Sequence, residues 1–91
     1  MIQVKTIEDV YPALDELVVE FKTAGYPRLA TILHHRMHQV AWTARSELFE
    51  ELQNVLTKAL ESDGATLPEL LKEQINRVLL AIRNFLKSAA E

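Results

Sequence analysis

The sequence predicts an all-α fold: a helical bundle of three helices with a long central one, forming a single domain over 1–91 and completed by homodimerisation. Three observations lead there. The 91 residues are 48% apolar and 25% charged, with only two glycines and three prolines, which is a globular composition weighted toward helix formers. Apolar side chains recur at spacings of three and four through long segments, the period of a helix with one buried face. Those segments are separated by two stretches that carry glycine and proline, "GYP" at 25–27 and "SDGATLPE" at 62–69.

The first helix is expected over about 10–24. Asp9 suits the N-cap, since Pro12 then falls in the first turn, where its missing amide leaves no bond unmade. Val10, Leu14, Leu17, Val18, Phe21 and Ala24 form one stripe, and Asp15, Glu16 and Glu20 lie off it. Gly25 then stops the helix, and Pro27 opens the next at its first position.

From 28 to 62 there is neither glycine nor proline, so the expectation is one long helix of about 50 Å at 1.5 Å per residue. Its apolar face does not hold one direction. Leu29, Leu33, Met37, Val40 and Ala44 line the first half, whereas Leu48, Leu52, Val55, Leu56 and Ala59 line the second, rotated by roughly a quarter turn. One explanation is a kink near 43–46, with Ser46 as N-cap, which makes four helices. The other is that the halves face different partners, the outer helices folding back on opposite ends of the middle one. That second layout is two helices thick, too thin to enclose a core, and it is what favours a homodimer. The last helix is expected over 67–88, opened by a capping box of Thr66 and Glu69 around Pro68. Its face is Leu71, Ile75, Val78, Ile82 and Phe85, widened by Leu79 and Leu86.

A second ladder, His38, Trp42, Arg45, Phe49, Leu52 and Leu56, runs beside the first stripe at alternating spacings of four and three. It is the candidate interaction surface. Tryptophan and arginine dominate interface energetics, and Trp42 with Arg45 at spacing three forms a candidate cation–π pair. The alternative for these residues is one broad core-facing stripe.

The histidines suggest a second chemistry. His34 and His38 are four apart and His35 and His38 three apart, so pairs of imidazoles can converge on an ion. A metal or small-ligand bundle using His34, His35 and His38 is therefore the alternative reading. Zinc takes at least three protein donors, and no carboxylate stands at the neighbouring helical positions. The residue after His34 is His35, where a zincin helix needs glutamate, and no glutamate precedes a histidine by three.

Other classes are excluded by composition and motif. With no cysteine there are no disulfides or thiolate ligands, and a cytoplasmic setting is the expectation. The N-terminal "MIQVKTIEDVYP" lacks the pattern of a signal peptide, and no apolar run is long enough to span a bilayer, so no membrane partner is expected. A net charge of −3 argues against nucleic acid as a partner. Glu47, Glu50 and Glu51 form an acidic cluster, and Lys72, Arg77, Arg83 and Lys87 bias the last helix toward positive charge. Both glycines are isolated, which leaves no phosphate loop or nucleophile elbow. No catalytic residue and no cofactor is expected.

The stretch "HQVAWTARSELFEEL" at 38–52 resembles an uncharacterised family of short bacterial all-helical proteins. They share a histidine, an Ala-Trp-Thr step and a Ser-Glu-Leu step in this order. The resemblance covers about a sixth of the chain and implies a bacterial source but no activity. Together these observations point to a small, non-enzymatic helical module that acts through a dimer or a partner surface.

Overall fold

A computed structural model describes residues 7–39 and 44–90, and among them every regular element is helical. A short 3-10 turn, Ile7–Asp9, leads into α1, Val10–Thr23; α2 follows at Pro27–His38, α3 at Arg45–Asp63 and α4 at Glu69–Ala90. The all-α class holds, in its four-helix form.

The chain rises and falls in order. Tyr26 and Thr66 hydrogen-bond through their hydroxyls at 2.5 Å, which ties the α1–α2 turn to the α3–α4 turn at one end of the molecule. At the other end the Phe49 ring lies 5.7 Å from Tyr11 and 5.1 Å, edge-on, from Phe85, gathering the starts of α1 and α3 with the last turns of α4. Around the bundle α1 packs on α2 and α4, and α3 packs on α2 and α4. Each consecutive pair is therefore antiparallel.

The single helix expected over 28–62 does not form. It would need about 50 Å, and the molecule is only 37 Å in its longest dimension. The α2 ladder ends where Gln39 donates to the His35 carbonyl at 2.9 Å; Ala44 is extended, at φ −141 and ψ 148, and α3 starts at Arg45. Ser46 is thus inside α3 rather than its N-cap. The quarter-turn rotation between the two apolar stripes supplies the reason. A straight helix aims those stripes at different places, and a break lets both face one core. Phe49, Leu52 and Leu56 are fully buried as a result, together worth about 5–9 kcal/mol at about 1.5–3 kcal/mol for each side chain.

All four helices contribute to that core. Leu14, Leu17, Val18 and Phe21 come from α1, Ala30 and Leu33 from α2, Leu48, Phe49, Leu52 and Leu56 from α3, and Leu71, Ile75, Val78, Leu79 and Ile82 from α4. Among the described residues no polar or charged side chain is buried. The two-layer layout that favoured a homodimer is replaced by a bundle that closes on its own chain.

The caps differ in detail from the sequence reading. Asp9 is the N-cap of α1 but makes no side-chain capping bond, its backbone being already helical at φ −72. Thr66 donates to the Asp63 carbonyl at 3.1 Å, and Glu69 pairs with Lys72 at 2.8 Å, so the expected capping box is absent. Gly25 has a φ of +92, the left-handed conformation that a C-terminal glycine supplies without a Cβ penalty. Gly64 caps α3 in the right-handed region; a Cβ there would meet the Leu60 carbonyl oxygen.

Candidate functional site

The polar residues singled out in the sequence collect where α2 ends and α3 begins. Helix α2 carries His35, Arg36 and His38 in its last turn, where the Arg36 cation complements the negative end of the helix dipole. Each is positioned by a different neighbour. His38 Nε2 lies 2.9 Å from Asp15 Oδ1 on α1, with both side chains about half exposed. His34 packs beside His38, the ring centroids 4.8 Å apart and tilted by 48°. His35 instead takes a 2.7 Å bond from Arg36 Nη1 on its Nδ1. A guanidinium can only donate, so the neutral His35 ring carries its own hydrogen on Nε2. Arg36 Nε donates to Glu51 Oε1 at 3.2 Å, joining α2 to α3.

Arg45, at the first position of α3, turns back over the start of α1. Its Nη1 is 3.5 Å from Glu8 Oε1, and its guanidinium carbon stands 5.9 Å from the centre of the Tyr11 ring. That distance is within cation–π range. Trp42, its expected partner, lies outside the described residues, and so do Val40, Ala41 and Thr43.

The six-residue ladder is divided by this arrangement. His38 and Arg45 are exposed and belong to one end of the bundle, whereas Phe49, Leu52 and Leu56 are in the core. The last three do not form a surface. The broad-stripe alternative describes them, because the break before α3 turns that flank inward. Sequence reasoning missed Glu8, Tyr11, Asp15 and Glu51 as partners. Asp15 is 23 residues from His38, Glu8 is 37 from Arg45 and Glu51 is 15 from Arg36 along the chain, and the alternation of up and down helices brings each pair together.

The three histidines do not converge. His34 and His38 are adjacent, but His38 Nε2 is engaged by Asp15 and His35 by Arg36. Among the described residues no three His, Asp or Glu side chains are grouped to hold a metal ion. The candidate set of His34, His35 and His38 therefore falls short of the three protein donors zinc requires.

Two shallow hollows flank α2. One, of about 240 Å³, lies between α2 and α3 over Leu29, Ile32, Val55 and Ala59, with Arg36, Lys58, Glu51 and Asp63 at its rim. The other, of about 380 Å³, is lined by Lys22, Thr31, His34, His35 and Gln39 among others. They fall below or near the lower limit of pockets that bury a small ligand, about 300–1,000 Å³. No helix among the described residues is long and apolar enough to cross a membrane. Comparison of the chain with protein-family models, with curated proteins and with solved structures finds no match.

Proposed function

We propose that this chain is a small, non-enzymatic interaction module that binds a protein partner through the end of the bundle where α2 gives way to α3. One observation carries the reading. Three polar contacts between elements, His38 with Asp15, Arg36 with Glu51 and Arg45 with Glu8, gather at the end of the bundle where α2 finishes and α3 starts, and Trp42 falls between these two helices in the sequence. Exposed ion pairs contribute little to stability, about 0–1 kcal/mol each, so their concentration at one end is better explained by the surface they present. Tryptophan and arginine beside a polar rim are the residue types that anchor protein interfaces. The absence of cysteine and the resemblance at 38–52 place the module, in the same proposal, in the cytoplasm of a bacterium.

The test is affinity capture from the native cell with the full chain as bait, followed by binding measurements on the retained protein. Trp42→Ala and Arg45→Ala should each weaken binding by about tenfold or more, equivalent to about 1.4 kcal/mol, with the melting temperature within a few degrees of wild type. A partner bound equally well by both variants overturns this surface.

A further inference from the structure

We propose that the outer face of α2 binds a phosphate group, in the hollow lined by Lys22 of α1 and by His34, His35, Arg36 and Gln39. The inference uses neither Trp42 nor Arg45, so it stands apart from the partner-binding reading.

This hollow, of about 380 Å³, is the more basic of the two beside α2. Among the described residues its lining includes Lys22 and Arg36 but no Asp or Glu. The hollow between α2 and α3 differs, because Glu51 and Asp63 there balance Arg36 and Lys58. The asymmetry begins in the sequence. Between Glu20 and Glu47 lie Lys22, Arg28, Arg36, Arg45 and all three histidines without one acidic residue, although the whole chain has a net charge of −3. All of α2 falls inside that interval. From the neighbouring helices Asp15 reaches His38 and Glu51 reaches Arg36, but neither acid lines this hollow.

The hydrogen-bonding inventory selects an anion as well. Arg36 donates from Nη1 to His35 Nδ1, so the neutral His35 ring keeps an N–H donor at Nε2 and no free acceptor. Lys22 brings an ammonium group with donors only, and among the described residues no ion pair or hydrogen bond engages it. The side-chain amide of Gln39 adds further N–H donors. Thr31, whose hydroxyl hydrogen goes to the Pro27 carbonyl at 2.9 Å, takes no part. A phosphate group accepts several bonds at once on separate oxygens, and bonds to an ionised acceptor are stronger than neutral ones. A carboxylate offers two oxygens in one plane, which suits a single guanidinium fork better than donors spread over two helices.

Amide correlation NMR on the full chain tests this, by titration with inorganic phosphate, glycerol phosphate and acetate at fixed neutral pH and constant ionic strength. The amides of Lys22, His34, His35 and Gln39 should shift and saturate with phosphate at a Kd of about 1 mM, and acetate should not saturate them. Lys22→Ala should raise that Kd about threefold or more, the loss expected from one exposed ion pair. Lys87→Ala, on α4, should leave it unchanged. Lys22 is exposed, and each variant's own spectrum reports whether it folds. Glycerol phosphate binding as well as inorganic phosphate assigns the hollow to a phosphorylated small molecule, whereas binding of inorganic phosphate alone assigns it to the free ion. Shifts that stay linear in phosphate, that acetate matches, or that fall equally on Arg77, Arg83 and Lys87 overturn the site. So does a Kd that Lys22→Ala leaves unchanged. None of these outcomes bears on the partner-binding end, which keeps its own test.

Discussion

Phe49 sits where three helices meet, fully buried against Tyr11 of α1 and edge-on to Phe85 of α4. In the sequence its spacing from Arg45 and Leu52 fits a seam and a core stripe equally well, because both follow the same helical period. Burial separates the two. Phe49→Ala should cost about 3–5 kcal/mol, the usual range for deleting a core aromatic, and urea denaturation should give the same loss at any protein concentration. A loss that shrinks as the protein is diluted would return Phe49 to an interface. Arg45 shows the reverse case. Its exposure was legible, but the Tyr11 ring beneath it was not, since that contact depends on how α1 and α3 are placed.

Among the elements, α2 and α3 depart furthest from expectation. Glycine and proline mark helix ends because they are poor helix formers, yet their absence does not guarantee continuity. Propensity contributes tenths of a kcal/mol per residue, against about 1.5–3 kcal/mol for each large apolar side chain taken into the core. The rotation of the apolar stripe was therefore the more informative signal. Arg45→Pro separates the two readings. At the first position of α3 a proline leaves no hydrogen bond unmade and fixes a suitable φ, and the extended Ala44 before it is compatible with the ring. The substitution should leave helicity by circular dichroism unchanged and cost no more than about 1 kcal/mol through the lost Glu8 and Tyr11 contacts. Inside a continuous helix it would cost about 3 kcal/mol or more. The turns at Gly25 and Gly64 followed expectation more closely, because their requirement is local.

Taken whole, the molecule is two antiparallel helix pairs sharing one core, clasped at one end by Tyr26 and Thr66 and at the other by Phe49 and its ring neighbours. Neither pair can bury its apolar face alone. Fragments 1–41 and 42–91 should each be largely unfolded by circular dichroism and should regain the helicity of the intact chain when mixed. A fragment that is fully helical and melts cooperatively by itself would show that the core is divisible. The sequence by itself determined the helical class, the buried stripes of α1 and α4 and the two glycine turns, all of which depend on residues within a few turns of one another. Only the tertiary structure decided that the middle segment is two helices, that Phe49, Leu52 and Leu56 face inward, and that the histidines separate toward Asp15 and Arg36. Those outcomes are set by burial shared among four helices and by pairings distant along the chain, which no local pattern encodes.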